Sequence, residues 1–446
     1  MLKFRVLIQD NLTSFRAILL GFIFLIYIGA VLLTLPAASA DGQSVPFINA
    51  LFTSASAACV TGLIAYDTAI QWTVFGRTVI LILIQIGGLG VITVAVAAMT
   101  LTNRKIGILQ RVTMQDAISA HQIGGIIRFT KFFVFGTIIM EGIGTLCLLP
   151  VFLQEYAFFP ALGYSLFHSV SAFCNAGFDL MGMHGPFSSL TSYASNAWVN
   201  VVIMTLIITG GIGFLTWDDL LKNRFRFRKL RLQTKIILTV TSILLILPFL
   251  YFFLIEFSAY PMKERILYSM FQSVTPRTAG FNTYDYGQMS ENGMLITIFL
   301  MIIGGAPGST AGGMKVTTIA VMMLTANSYL HKRENVNCFN RRIDIDVIHN
   351  ALTLMTVYIL MLLLGTVIIS GVENIPVLTA MFECASALGT VGLTAGITPY
   401  LSPVSKYILI FFMFFGRVGG TTLAYALLSP RRKAAARLPV EKVTVG

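Results

Sequence analysis

The stretch "YSLFHSVSAFCNAGF" (164–178) can be laid without gaps over three others: "NALFTSASAACVTGL" (49–63), "LYSMFQSVTPRTAGF" (267–281) and "TAMFECASALGTVGL" (379–393). Their aligned glycines are Gly62, Gly177, Gly280 and Gly392, spaced 115, 103 and 112 residues apart. A second element recurs after each, as "IGGLG" (86–90), "TGGIG" (209–213), "IGGAPG" (303–308) and "FGRVG" (415–419). An apolar run of helix length precedes each copy. The chain therefore reads as four copies of one unit, helix, short glycine-bearing segment, helix, because a long-period repeat organises the fold before any local feature does. The units cover 1–110, 111–225, 226–340 and 341–446.

Composition places these units in a bilayer. Of 446 residues 56% are hydrophobic and 11% charged, against about 25% charged in an ordinary soluble domain. Runs such as "AILLGFIFLIYIGAVLLTL" (17–35) and "YILMLLLGTVIIS" (358–370) recur along the chain, with no cleavable leader pattern at its start. Five cysteines without paired spacing argue against a disulfide framework or a zinc site. Crossing the hydrocarbon takes about 20 helical residues, and the part of each repeat before its glycine offers only about ten at a rise of about 1.5 Å each. Each segment must go halfway in and return, and such backbone is tolerated only against protein or a water-filled cavity. The expected fold is an all-α membrane protein with eight transmembrane helices and four re-entrant half-helices around one central pore per protomer.

Charge sets the orientation. The net charge is +12 from 31 Lys and Arg. With the glycine segments entering from outside, the clusters "KNRFRFRKLR" (222–231) and "RRK" (431–433) lie inside with both termini, and only Arg77, Lys263, Arg265, Arg277 and Lys406 lie outside. That follows the positive-inside rule: a multi-pass protein of the cell membrane with cytoplasmic termini. Its basic loops then face lipid or an acidic partner, not nucleic acid. Outer acids such as Asp41, Asp67, Glu155, Asp179 and Asp285 make a mouth that enriches cations.

The half-helices run inward, so their negative dipole ends point at the bilayer centre. None of the residues just before the glycines is acidic, which excludes a ring of carboxylates and leaves backbone carbonyls to replace an ion's hydration shell. Glycine suits a loop that turns its carbonyls inward, since it adopts conformations other residues resist.

The fourfold plan, with "VTGL", "CNAGF", "RTAGF" and "TVGL" closing its loops, resembles the Trk/Ktr/HKT superfamily of potassium transporters, and most of all the membrane subunit of bacterial Ktr systems. The resemblance implies potassium uptake by a homodimer with one pore in each protomer. It also implies sodium dependence and regulation by a cytosolic, KtrA-like ring that binds ATP or ADP, so that nucleotide belongs to the partner and K+, with Na+ as activator or co-ion, to this chain. It places the potassium filter on Val60, Thr61 and Gly62; Asn175, Ala176 and Gly177; Thr278, Ala279 and Gly280; and Thr390, Val391 and Gly392.

"IGGAPGSTAGGMK" (303–315) falls where the third unit's second long helix belongs, and five glycines with Pro307 break that helix. It is no phosphate-binding loop, because Lys315 is followed by Val316 and not by Ser or Thr. By the resemblance it is the intramembrane gate, comprising Gly304, Gly305, Gly308, Ser309, Thr310, Gly312, Gly313 and Lys315, with Ser309 and Thr310 able to bond the freed backbone. Arg417 replaces a glycine of the recurring element and sets a charge at bilayer depth, where charges are functional by default; it either belongs to the gate, raising a barrier to cations beside the path and tethering loop carbonyls, or forms a structural ion pair. Lys315 snorkels to the cytoplasm or joins the gate. Arg277 pairs with a mouth carboxylate or repels ions. Glu141 is read as an interhelical hydrogen-bonding residue and Glu383 as a bond to the filter backbone. The five histidines, His121, His168, His184, His331 and His349, lack ligand spacing, and no catalytic residue or cofactor site is expected, which excludes an enzyme such as an ATPase. The transport alternative is an alternating-access cation symporter; inverted repeats would favour it, and these four units run the same way.

Overall fold

A hydroxyl and a carboxylate cap open the first and last of the long helices. Thr13 accepts from the Arg16 amide at the head of Ser14–Thr34, and Asp344 from the Asp346 amide at the head of Ile345–Glu373, satisfying amides that a helix start leaves free. The structure, a computed structural model, describes residues 13–101, 126–420 and 422–423, together with 113, 115 and 441. The expected unit boundary at 110/111, the cluster 431–433 and His121 lie outside the described residues.

Four helices are long and apolar enough to cross a membrane: Ser14–Thr34, Arg128–Phe152, Leu232–Glu256 and Ile345–Glu373. Only 28–33% of their most apolar stretches is buried inside the molecule. Phe24, Ile138, Leu247 and Val367 point outward instead, a sheath that water would disfavour and hydrocarbon accepts.

After each comes a short helix, Phe47–Ala58, Phe158–Phe173, Met262–Val274 or Val377–Gly389. Pro46, Pro261 and Pro376 start three of them, where the missing N–H costs nothing. At 12 to 16 residues they fall short of a crossing. Their last turns are wholly enclosed: Ser56, Ala57, Ala172, Ser386 and Ala387 have no exposed surface.

The helix that follows departs from expectation. Sequence reading puts a break in the third unit alone, yet Val74–Leu89 meets Val91–Ala97 at 92° and Ala197–Gly211 meets Phe214–Lys222 at 91°. In the third unit Glu291–Ile302 and Val316–Leu330 flank the loop, and in the fourth Pro403–Val418 stops at Gly419. In the first, second and fourth units the cause is the last glycine of the recurring element, since Gly90, Gly213 and Gly419 have φ of 84°, 92° and 90°, a region that ends a helix and that residues with a Cβ resist; in the third the helix stops at Ile302, before Gly308. The eight crossings expected thus meet four unbroken spans, or up to six if each bent pair counts as one.

The first glycine of the element serves packing. A Cβ on Gly87, Gly210 or Gly416 would lie 2.0, 2.0 or 2.3 Å from the carbonyl oxygen of Ala58, Phe173 or Leu388, so each bent helix lies directly on the end of its unit's short helix, as small residues allow. A two-residue hairpin, Asn337–Cys338 with Arg341–Arg342, corrects the all-α expectation locally. Phe339 and Asn340 turn it at positive φ, which tight hairpins require.

Candidate functional site

The four glycine segments leave their short helices alike. Val60, Asn175, Thr278 and Thr390 stand at φ of 51°, 57°, 69° and 51°, and Gly62, Gly177, Gly280 and Gly392 at 95°, 69°, 83° and 94°; the residues between them lie outside that region. An extended strand sends successive groups to opposite faces, whereas alternating the sign of φ turns successive carbonyls to one face.

Those faces meet. A Cβ on Gly62 would stand 2.6 Å from the Ala176 carbonyl oxygen, on Gly177 2.7 Å from that of Ala279, on Gly280 2.4 Å from that of Val391, and on Gly392 2.2 Å from that of Thr61. Following these neighbours leads through the four segments in chain order and back to the first. Glycine is needed here twice, for its φ and for lack of room. Val60, Thr61, Asn175, Ala176, Thr278, Ala279, Thr390 and Val391 are fully buried. The hydroxyls of Thr61 and Thr390 have no hydrogen-bond partner among the described residues, and the Asn175 amide group lies 3.2 Å from the Thr278 hydroxyl.

Four buried hydroxyls behind the ring were not singled out in the sequence. The amides of Gly62 and Gly392 donate to Ser56 Oγ and Ser386 Oγ, each at 3.0 Å. Ser171 donates to the Phe178 carbonyl at 2.7 Å and Thr275 to that of Phe281. The signal was present, since serine stands six places before the glycine in three of the four aligned segments.

Residues 303–315 lie against the ring. A Cβ on Gly312 would meet the Thr390 hydroxyl at 2.1 Å, and one on Gly313 the Gly389 carbonyl at 2.8 Å. The Gly304 amide donates to Met314 and the Val316 amide to Gly305, at 2.7 and 3.1 Å, closing the loop's stem. Two other units, the second and the fourth, hold its body. Ala306 and Thr310 donate to the carbonyls of Gly211 and Gly210, the Phe214 amide donates to Gly308, and the Thr310 hydroxyl donates to Phe173 at 3.0 Å. The Gly313 amide donates to Gly416 at 3.0 Å. Ser309 donates within the loop, to Ala306.

Two cations secure it. Arg417 donates through Nη1 to the Thr310 carbonyl and through Nη2 to the carbonyls of Gly87 and Gly88, at 2.6 and 2.8 Å, tying the loop to the first unit's bend. Among the described residues it makes no ion pair, so the ion-pair alternative gives way to carbonyl tethering. Lys315 Nζ donates to Ala311 and Gly312 at 2.8 and 3.4 Å and is half-buried; it folds back on the loop and does not snorkel, because unpaired backbone carbonyls lie within its reach. A cavity of about 210 Å³ opens beside these groups, lined by Gly90, Thr93, Ser309, Lys315, Tyr358 and Arg417 among others.

Other expectations change. Arg277, 8% exposed, donates to Thr241 at 3.4 Å and pairs with no carboxylate among the described residues. Glu383 bonds Thr394, the Ala395 amide and Thr398, bracing the loop beyond the glycine and not the filter backbone, because its side chain emerges two turns earlier. Glu141 bridges helices as read, accepting from Gln85 at 3.2 Å and Cys174 at 3.7 Å. The acids beyond the ring are engaged: Asp67 accepts from the amides of Ala69, Ile70 and Phe187, Asp285 from Gly287, and Asp179 from Met181. Desolvation, reinforced by the charge of Asp67, pushes the Asp179 carboxyl up to about 7. Among the described residues no three His, Cys, Asp or Glu side chains group as a metal site would require.

Comparison with known proteins converges on one family. The TrkH family, described as cation transport protein, matches residues 20–433. The chain is 37% identical to the potassium/sodium uptake protein NtpJ of Enterococcus hirae over 98% of both chains. It is 41% identical to the Ktr system potassium uptake protein B of Bacillus subtilis over 95% of both. The crystal structure of the potassium transporter TrkH from Vibrio parahaemolyticus superposes with a TM-score of 0.70 at 20% identity, over 92% of this chain and 84% of that one, a likeness of fold. With four apolar helices of spanning length, a closed ring of backbone carbonyls and this kinship, the chain belongs to the TrkH family of cation transport proteins, a family of transporters and not of enzymes.

Proposed function

We propose that the chain is the potassium-translocating subunit of a Ktr-type uptake system. It is built as four fused pore repeats, 1–110, 111–225, 226–340 and 341–446, with eight crossing segments of which the second in each unit is broken. The closed ring at Gly62, Gly177, Gly280 and Gly392 carries the reading. Its four inward carbonyls, from Thr61, Ala176, Ala279 and Val391, replace the hydration shell of potassium, and the four short helices aim their negative ends at the ion. Val60, Asn175, Thr278 and Thr390 add the next layer of ligands. Residues 304–315 with Arg417 form the gate: the loop lies beneath Thr390, and its bonds to the second and fourth units, with Arg417 linking it on to the first, make it a plug that one movement releases.

By kinship with potassium uptake proteins, two of them Ktr proteins from B. subtilis and one named for potassium and sodium, the protein works as a homodimer. It sits in the cell membrane with cytoplasmic termini, is activated by or coupled to sodium, and is governed by a KtrA-like ATP/ADP-binding ring. The test is potassium-gradient-driven flux in proteoliposomes of purified protein, in potassium and in sodium, with and without the nucleotide-loaded ring. Potassium flux exceeding sodium flux, with loss of that preference in Gly392→Ser, supports the reading. Absence of flux even with the ring overturns it.

A further inference from the structure

The hydroxyls behind the ring do not act alike. The Gly62 amide and the Thr61 carbonyl belong to one planar peptide, so when the amide donates backward to Ser56 Oγ at 3.0 Å, the carbonyl is aimed forward. The same holds for the peptide of Val391 and Gly392, whose amide donates to Ser386 Oγ at 3.0 Å. Both carbonyls point into the ring, toward Gly392 and Gly280. In the second and third units the hydroxyl acts on another peptide: Ser171 and Thr275 donate to the carbonyls of Phe178 and Phe281, beyond the glycine. Those two carbonyls are drawn back toward the short helices.

The difference has a partial cause in the chain. In the first, second and fourth units the middle residue's amide donates to the serine five places earlier, Thr61 to Ser56, Ala176 to Ser171 and Val391 to Ser386, each at 2.8 Å. In the third, Ala279 donates to Thr275, four places earlier, at 3.0 Å. Pro276, lacking an N–H, ends that helix early and shifts the hydroxyl by one position. All four hydroxyl-bearing residues have no exposed surface, so no water competes for these bonds.

We infer that Ser56 and Ser386 are positioning residues for ion selectivity, each holding one ring carbonyl, Thr61 or Val391, at the distance that suits potassium. Ser171 and Thr275 instead withdraw the Phe178 and Phe281 carbonyls from the path. Without its hydroxyl anchor the Thr61 or Val391 peptide is free to tilt, its carbonyl can follow a smaller ion inward, and sodium is better accommodated. This rests on the ring being the filter.

The experiment is the ratio of potassium to sodium flux in proteoliposomes for Ser56→Ala, Ser386→Ala and Ser171→Ala, with Ser56→Thr and Ser386→Thr as variants that keep the hydroxyl, and Gly392→Ser as the reference for a broken ring. A buried hydrogen bond contributes on the order of 1 kcal/mol, so the ratio is expected to fall about five-fold in Ser56→Ala and in Ser386→Ala. It recovers in the threonine variants and falls less in Ser171→Ala. A purely structural role would lower the amount of folded protein without moving the ratio. Wild-type ratios in both alanine variants, with the ratio lost in Gly392→Ser, overturn the positioning role and leave the filter standing. An unchanged ratio in Gly392→Ser as well overturns the filter and this inference together. Should an alanine variant not fold, Ser56→Cys and Ser386→Cys, which keep the volume and weaken the bond, decide by the same ratio.

Discussion

The ring around Gly62, Gly177, Gly280 and Gly392 and the loop 303–315 descend from the two recurring elements of one repeat, and they use repetition in opposite ways. At the ring every copy adopts the same φ pattern and presents one carbonyl to its neighbour. At the level of the loop the first and second copies turn by about 90° at a single glycine, while the third spends 13 residues on a structure without counterpart and the fourth supplies Arg417 to hold it. On the function proposed above, what four copies share is a symmetric cage for a spherical ion, and what one copy does alone is a plug on its axis.

The sharpest way to break this comparison is at the ring. Gly392 and Gly396 have nearly equal φ, 94° and 90°, yet a Cβ at Gly392 would meet the Thr61 carbonyl at 2.2 Å and one at Gly396 meets nothing within 4 Å. Positive φ alone costs a residue with a Cβ about 1–2 kcal/mol. Gly396→Ala therefore lowers the melting temperature by a few degrees and spares selectivity. Gly392→Ala adds a backbone clash and should cut potassium flux at least about ten-fold, every ~1.4 kcal/mol being tenfold. Equal effects of the two would dissolve the crowded ring.

Arg417→Gln comes next. It removes three bonds to carbonyls of two units together with a charge beside the path, and potassium flux should rise about ten-fold as one such charge-assisted bond, about 1.5–3 kcal/mol, no longer holds the loop. Flux and its response to nucleotide unchanged from wild type would count against the tether. A smaller effect sits at the mouth. Because the Asp179 carboxyl is raised to about 7, it is neutral below that pH and charged above it. Cation influx should rise about two-fold as pH increases through 7, whereas stability falls earlier, as pH rises from the ordinary carboxylate range toward 7, where the unfolded chain has lost the proton that the folded one still holds, and levels off above it. Asp179→Asn should flatten the flux profile. The smallest change is expected of Gly90→Ala at a bend with open surroundings, about 1 kcal/mol of stability by thermal melting.

Much of this was legible in the chain. The aligned glycines located the ring, because a position that needs both positive φ and absent volume admits one residue type, and five glycines with Pro307 located the loop. The bends at Gly90, Gly213 and Gly419 were equally printed in the recurring element and were passed over, since a lone glycine in an apolar helix reads as packing until its φ is known. The hydroxyls of Ser56 and Ser386 were hidden for another reason: serine in a membrane helix most often bonds its own helix, and only the returning chain shows which peptide it holds. For Lys315 and Arg277 the sequence leaves two readings each, because hydropathy assigns a depth to a charge and says nothing of which carbonyls or hydroxyls lie within its reach; the structure removes snorkelling for the first and the carboxylate pair for the second.

The most direct test separates cage from plug in one variant. Ile303 pairs with Met314 across the loop's stem, so removal of residues 305–312 leaves the stem ends adjacent and the ring's own bonds intact. The measurement is potassium and sodium flux of that variant beside wild type in the same proteoliposomes. The account predicts that flux rises while the potassium-to-sodium ratio stays at its wild-type value. A ratio that collapses, or a flux that does not rise, would contradict it.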